Sequence, residues 1–439
     1  MEMDLEIEVM GREVIKPATP SPHNHIQLSL LDMSTPAMYF STIFLYKSED
    51  LVTASPEVIS KKLKSSLSET LSRLYPLAGE IEGVSVNCND KGAVFTEART
   101  NLLLPEFLKT LNVDSLAELR PKIEDGDSPS AWPLLSVGVT FFGSGSGVAV
   151  SVNVSHRICD AASLLTLVTD WSETMANKKS NVGIHQFAEA TIYPPAPPHM
   201  ASQSRTTNSI KCAMNRFVFE SSKIAELKRK AASESVKMPT RVEAITSLIW
   251  KCVTKASRSN LMGPRSAVMY VAVDLRLKVP SSVLSPDAIG NLQTAFFLKK
   301  DAESEVEIQE TVAAFRTAKE EVDKMLKDNV QSNTLGQGLL NMMGSQASVF
   351  KPDIDIYTTS SWLGKPFYGV DFGWGSPVWM GSATHTVYDK LVYVSLMDSK
   401  DGEGVEAWIN IPAEVMSVFV HDQELLAYAV LNPPYSSVR

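Results

Sequence analysis

Two polar side chains four residues apart, His156 and Asp160 in the stretch Ser151-Val-Asn-Val-Ser-His-Arg-Ile-Cys-Asp160, are the best-placed groups in this sequence for chemistry. An unperturbed imidazole titrates near pH ~6.5, so His156 can take a proton from a hydroxyl around neutral pH and act as a general base. Asp160 has two uses open to it. Its carboxylate can cap a helix, or it can pair with a cation elsewhere and lock the turn that carries His156. A second constellation is Asp371-Phe-Gly-Trp-Gly375, where two glycines permit a tight path around two aromatic anchors. Its residues favour a structural aromatic turn over a direct catalytic part.

The elements that position these groups follow from periodicity. Val148, Val150, Val152 and Val154 alternate with Ala149, Ser151, Asn153 and Ser155, which predicts a half-buried strand with His156 leaving it on the valine side. After Asp160, Leu164, Leu165, Val168 and Trp171 recur at helical spacing. Leu134 to Phe142 reads as a strand, and Gly143-Ser-Gly-Ser-Gly147 turns it into the next, a hairpin that delivers His156.

Upstream, Lys16-Pro-Ala-Thr-Pro-Ser-Pro22 reads as an extended lead-in and Met38 to Tyr46 as a strand. Ser55 and Pro56 open a helix whose apolar face is Val58, Leu63, Leu67, Leu71 and Leu74, ending before Pro76. Val84–Val86 and Ala93–Phe95 are short strands around the turn Asn89-Asp-Lys-Gly92, and segment 98–130 is mixed. Residues 178–212 lose periodicity and contain Tyr193-Pro-Pro-Ala-Pro-Pro-His199, a stiff crossover between two lobes.

Beyond it come a strand at Arg216–Phe219 and helices through Ile224, Leu227 and Ala231 and from Thr240 onward. Val268 to Asp274 is a strand running into Leu275-Arg276, and a charged helix lies between Asp301 and Asn329. Strands return at Val392–Met397 and Val405–Ile411 before a closing helix through Val415, Val418 and Leu425. The class is mixed α/β in two lobes.

Composition excludes several functions. With a net charge of −9 and a pI near 5.4, nucleic acid is not the main partner, because neutralising its backbone needs a broad basic surface. Four scattered cysteines, Cys88, Cys159, Cys212 and Cys252, suggest free thiols, with neither a disulfide framework nor a zinc site. The N-terminal residues are acidic where a signal peptide is basic and then apolar, and no apolar run has membrane-spanning length, so the expected location is the cytosol. His156-Arg157 and Asp371-Phe-Gly373 look like protein-kinase pieces, but no Asp follows Arg157 and no Gly-rich loop or Val-Ala-Ile-Lys is present. Gly143–Gly147 has Gly where a nucleophile elbow has Ser, so a serine hydrolase is not supported either.

Taken together and in this order, His156-Arg-Ile-Cys-Asp160 and Asp371-Phe-Gly-Trp-Gly375 resemble the motifs of the plant BAHD acyltransferases, and of their vinorine-synthase-like acetyltransferase branch in particular. Lys16-Pro, Tyr75-Pro-Leu-Ala-Gly79, Val273-Asp-Leu-Arg276, Gly290-Asn291 and Gly402-Glu-Gly-Val-Glu-Ala-Trp408 extend the resemblance over nearly the whole chain. It implies a two-lobed, chloramphenicol-acetyltransferase-like α/β fold, each lobe a mixed sheet with flanking helices. The N-terminal lobe would be 1–180, with part of 363–389 added, the crossover 181–213, and the C-terminal lobe 214–439, carrying the Asp-Phe-Gly-Trp-Gly loop and most contacts to CoA.

The resemblance further implies direct attack of an acceptor hydroxyl on an acyl-CoA thioester. His156 would be the base, Asp160 a latch paired with Arg276, and Ser360 a candidate oxyanion donor. Thr240, Arg241, Gly290, Asn291, Ser361 and Trp362 would contact CoA, and Asp371, Gly373, Trp374 and Gly375 would be structural. Lys223, Lys228, Arg229, Lys230, Lys237 and Arg241 form a basic neighbourhood suited to the phosphates, though a solvated helix face explains most of those lysines.

No permanent cofactor or metal is expected, and acetyl-CoA or another acyl-CoA serves as co-substrate. The other partner is a small hydroxylated acceptor, a terpenoid or alkaloid alcohol, with no membrane partner and a monomeric protein. A non-catalytic binder using the same channel is the alternative from another class, and a hydrolase using His156 and water is a third. The chain departs from many relatives in Ala161, in Ser360-Ser361-Trp362 and in Gly364, a change that bears on the width of the channel.

Overall fold

A computed structural model describes residues 5–47, 49, 51, 54–122, 132–178, 187, 192–202, 211–258, 265–347, 349, 351, 354–382 and 391–435. Parts of the expected crossover (179–186, 188–191 and 203–210), residues 123–130 of the mixed segment and the end of 363–389 lie outside them. In chain order the strands are β1 (Glu8–Ile15), β2 (His25–Gln27), β3 (Tyr39–Lys47), β4 (Glu80–Glu82), β5 (Ser85–Asn87), β6 (Ala93–Arg99), β7 (Leu135–Phe141) and β8 (Gly147–Ser155). They continue with β9 (Cys212–Phe219), β10 (Ser266–Asp274), β11 (Gln293–Lys300), β12 (Ile354–Ser361), β13 (Trp379–Ser382), β14 (Leu391–Asp398), β15 (Val405–Pro412) and β16 (Val430–Leu431).

Two mixed sheets result, with helices packed on them. The first runs β1-β6-β7-β8-β3-β13 and the second β11-β10-β12-β14-β15-β9-β16, while β2-β5-β4 form a small third sheet. The fold is α/β with two sheet-rich lobes. Each lobe has its own buried core.

In the first lobe β8 pairs with β7 and β3 on either side, so the β7–β8 hairpin delivers His156 at its end. Alternation suggested that β8 is half-buried, but Gly147 through Val154 are all buried. The polar side is covered by residues 119–121: Ser151 Oγ donates to the Leu119 carbonyl at 2.9 Å and Asn153 Nδ2 to that of Pro121 at 3.4 Å. Small hydroxyl and amide side chains can be buried where such acceptors meet them. Helix Pro56–Arg73 packs on helix Ala161–Met175, joined by Trp171 Nε1 donating to the Leu63 carbonyl at 3.1 Å and by the Arg73–Asp170 pair at 2.9 Å. The buried stripe is Ile59, Leu63, Leu67 and Leu71, a strict four-residue spacing that leaves the expected Val58 46% exposed.

Other expectations change for non-local reasons. The strands flanking Asn89–Gly92 do not form a hairpin: β5 pairs with β2 and β4, whereas β6 pairs with β1 and β7. The closing helix is two short ones, Ala413–Phe419 and Gln423–Leu426, because Asp422 caps the second by accepting from Glu424 and Leu425 N–H. The Asp371–Gly375 loop, expected in the C-terminal lobe, packs in the first lobe's core through Phe372 and Trp374. Strand β13, a few residues on, adds to the edge of the first sheet beside β3. Among the described residues no helix is long and apolar enough to cross a membrane.

Candidate active site

A cleft opens between the lobes, lined by residues of both. The first lobe lines it with Phe40, His156, Asp160, Ala161 and Ala162. The second contributes Tyr270, Ala272 and Asp274 from β10, Gln293 from β11, Thr358, Ser360 and Ser361 from β12, Lys365, and Tyr393 from β14.

His156 leaves β8 with its N–H donating to the Met38 carbonyl at 2.8 Å. Its ring lies against Phe40, centroids 3.9 Å apart, and Phe40 is backed edge-on by Trp362, which stacks on Phe367. Nδ1 is 3.1 Å from both the Cys159 carbonyl and Asn291 Oδ1. Both neighbours are acceptors, which assigns the proton to Nδ1 and leaves Nε2 as the basic nitrogen. Burial lowers the imidazole pKa to about 4; hydrogen bonds to its own and the Cys159 carbonyls, the Asp160 charge and Asn291 pull the other way without offsetting it. His156 is therefore a neutral acceptor at physiological pH.

Asp160 turns out to do both things its spacing allowed. Oδ1 accepts from the Ser163 N–H at 2.9 Å and caps helix Ala161–Met175, while Oδ2 accepts from Arg276 Nη1 at 2.8 Å and from the Leu292 N–H at 3.0 Å. Burial pushes its carboxyl pKa up, but Arg276 and the backbone donors more than offset this and hold it below the ordinary range. Arg276 is itself buried, and it also donates to the Ala288 carbonyl, to Ser163 Oγ and to Asp274 Oδ1.

The loop Gly290–Leu292 is the joint. Three successive N–H groups of the second lobe donate to side chains of the first: Gly290 to Ser163 Oγ at 3.1 Å, Asn291 to Asp32 Oδ1 at 3.2 Å and Leu292 to Asp160 Oδ2 at 3.0 Å. Pointing three amides the same way needs Gly290 at φ +138°, which glycine alone adopts without strain. Thus Gly290 and Asn291, expected as CoA contacts, are held at the lobe joint. Asn291 is buried against His156 and Asp32, and Trp362 is buried behind Phe40.

Thr240 and Arg241 stand at the start of helix Arg241–Arg258. Thr240 exchanges capping hydrogen bonds with Glu243, and Arg241 reaches Asp398 at 3.2 Å and the Gly402 carbonyl at 3.0 Å. Of the basic neighbourhood, Lys223, Lys230 and Arg241 face Glu226, Glu424 and Asp398. Ser360 lines the cleft, where its Oγ accepts from Trp362 Nε1 at 3.2 Å and is hydrogen-bonded to Tyr393. Ser361 lines the cleft too. Gly364 does not: it takes φ +78° and donates to Asp398, and the cleft is met instead by its neighbour Lys365.

The Asp371 carboxylate closes its own loop, Oδ1 accepting from the N–H groups of Gly373, Trp374 and Gly375 at 2.8–3.0 Å. Lys178 adds an ion pair at 3.2 Å, and Phe372 and Trp374 pack edge-on against Tyr46. None of these residues lines the cleft. Asp371→Ala is expected to cost about 2 kcal/mol of stability in a denaturant titration, with kcat of the folded fraction unchanged; a selective loss of kcat would assign the loop to the reaction.

Sequence reading did not reach Asp32, Phe40, Ser163 or Lys365. For Asp32 a signal existed: Ser29-Leu-Leu-Asp32 is a capping-box pattern, and Ser29 does cap helix Leu30–Ser34 reciprocally with Asp32. Ser163 and Lys365 act through partners more than 90 residues away, which spacing does not reveal. Among the described residues no group of His, Cys, Asp and Glu could hold a metal ion.

A two-lobed α/β acyltransferase is the class that this fold and site define. The sequence pattern of the Transferase family matches residues 5–426. The chain is 63% identical over 437 residues to the BAHD acyltransferase BIA1 of Arabidopsis thaliana, covering 98% of this chain and 99% of that one. It is 32% identical to the 17,18-epoxy-17-hydroxycur-19-ene N-malonyltransferase of Strychnos nux-vomica, covering 97% and 91%. The crystal structure of vinorine synthase superposes with a TM-score of 0.83 at 28% identity, covering 98% of this chain and all of that one. The chain belongs to the BAHD acyltransferase family, enzymes that use acyl-CoA as co-substrate.

Proposed function

We propose that this protein transfers an uncharged short acyl group, acetyl, from CoA to a hydroxyl of a small plant metabolite of the terpenoid or alkaloid type, with His156 as the base. One observation carries the reading: Nδ1 of His156 is committed to carbonyl oxygens, so its lone pair is on Nε2, in a residue that lines the inter-lobe cleft. Nε2 takes the acceptor's hydroxyl proton as the oxygen attacks the thioester carbonyl. Ser360, turning its hydroxyl from Tyr393, donates to the oxyanion, a contribution of roughly 3 kcal/mol where enzymes use one. Collapse of the tetrahedral intermediate expels the CoA thiolate, and the imidazolium returns the proton to it.

The preference for an uncharged acyl group comes from the charges around the cleft. Asp160, Arg276, Asp274 and Lys365 form a chain at 2.8, 3.2 and 2.9 Å. Two carboxylates balance two cations. The Lys365 ammonium, the cation that lines the cleft among the described residues, is already neutralised by Asp274, so a carboxylated donor meets no surplus positive charge there.

The test is release of CoA thiol with a panel of hydroxylated terpenoids and alkaloids, comparing acetyl-CoA with malonyl-CoA. Acceptor-dependent release is expected, with kcat/KM higher for acetyl-CoA by about 10²-fold, the cost of desolvating a carboxylate that meets no free cation. Equal use of malonyl-CoA would overturn the donor assignment. Release without acceptor would mean hydrolysis, and no release with any acceptor would favour a binding protein.

A further inference from the structure

We propose that Asp32 is a positioning residue for His156, acting across the lobe joint through the side-chain amide of Asn291. Asn291 touches both: Nδ2 donates to Asp32 Oδ1 at 2.9 Å and to the His156 carbonyl at 2.7 Å, while Oδ1 faces His156 Nδ1 at 3.1 Å. An amide has nearly the same shape either way round, and its hydrogen-bond partners decide which end points where. The Asp32 carboxylate accepts only, so it holds the NH2 end to itself and turns the carbonyl end to the imidazole. The reversed amide would place NH2 against Nδ1, favour the proton on Nε2 and remove the lone pair from the cleft.

A cap alone does not account for Asp32. The helix Leu30–Ser34 uses one of its oxygens: Oδ2 accepts from Ser29 Oγ at 2.6 Å and from the Ser29 N–H at 2.9 Å. The other oxygen is given wholly to Asn291, from whose backbone and side chain it accepts at 3.2 and 2.9 Å. All four of these donors are neutral groups, so a carboxylate is buried here at a desolvation cost that a serine-type cap would avoid. Four donors on two oxygens also means that no amide can replace it. An asparagine at this position serves either the cap or Asn291, and presents NH2 to the other.

The inference rests on the reading of His156 as base, and the tests separate the two. Asp32→Asn is close to isosteric and keeps one side of the network, so its folding is checked first by thermal melting. It is expected to lower kcat by about 10- to 10²-fold with the KM for acyl-CoA within about twofold, as misplacement of a reacting group does. In a His156→Ala background the same substitution should add less than about a twofold loss, because it acts through the missing ring. Equal losses in both backgrounds, or no loss in a folded Asp32→Asn protein, would overturn the proposal.

A readout independent of turnover is the ring nitrogen spectrum of 15N-histidine-labelled protein, with His156 assigned by its absence in His156→Ala. The wild-type ring should show Nδ1 protonated, and Asp32→Asn should shift that pattern. An unchanged ring sinks the role of Asp32 even if His156 proves to be the base. Near-normal turnover by His156→Ala, with the ring shifted in Asp32→Asn, would instead fault the reading of the base.

Discussion

His156→Ala is expected to lower acyl transfer by about 10²–10⁴-fold while leaving the KM for acyl-CoA and the melting curve close to wild type. The loss is large because no second base is at hand among the described residues: the other charged groups lining the cleft there are Asp160, Asp274 and Lys365, and all three are committed to ion pairs. The pH profile gives an independent check. Burial brings the imidazole down to about 4 from 6.5, so the neutral, basic form persists well into acid. In the free enzyme kcat/KM should stay level from neutrality to about pH 5 and fall through about pH 4, where an exposed histidine would already decline below about 6.5.

Stability carries the opposite face of the same shift. Between about pH 6.5 and 4 the unfolded chain binds a proton at His156 and the folded one does not, so stability is lost as pH falls through that window, by roughly 3 kcal/mol in all. Replacing the residue by alanine removes this acid sensitivity along with the activity. Near-normal turnover by the alanine variant would end the base assignment.

What the sequence reveals of this site divides by the range of the interactions. The strand ending at Ser155 and the helix starting at Ala161 obey local rules, alternation and an acceptor at the N-cap, so the junction holding His156 and Asp160 is legible in fifteen residues. Asp160's second oxygen is not, because Arg276 and Leu292 lie 116 and 132 residues away. Asn291 shows the same limit more sharply. The pair Gly290-Asn291 stands out in the sequence, but only folding shows that its amides point at the first lobe and its side chain at His156. The Asp371 loop is readable as a turn, since Gly373 and Gly375 take φ +89° and +84°, but its lobe is set by Tyr46 and Trp171, aromatic partners distant in sequence. Burial of both faces of β8 likewise depends on residues 119–121, which carry no periodic signal.

Arg276→Ala is expected to cost about 3–5 kcal/mol of unfolding free energy, the usual price of leaving a buried carboxylate without its cation. Both partners are nearly sealed from water, with side-chain exposures of 3% for Arg276 and 8% for Asp160. Removing the arginine also strips donors from the Ala288 and Gly290 carbonyls and from Ser163 Oγ, so the loop carrying Asn291 loosens together with the ion pair. Activity should therefore fall further than stability alone predicts when measured on the folded fraction. The carboxyl of Asp160 is held below its ordinary value, so the pair stabilises the protein above the unfolded carboxylate's pKa, about 3.9, and that stability is lost as pH falls through the lower folded value. Asp160→Asn separates the two duties of this residue: its amide oxygen can keep the cap on Ser163, while its NH2 meets the Leu292 N–H and Arg276, both donors. The asparagine variant should retain helix Ala161–Met175 yet lose the joint, giving a folded first lobe and a displaced Asn291. An Arg276→Ala protein with an unchanged denaturation midpoint, or an Asp160→Asn protein with unchanged kinetics, would show that the lobes are held by other contacts.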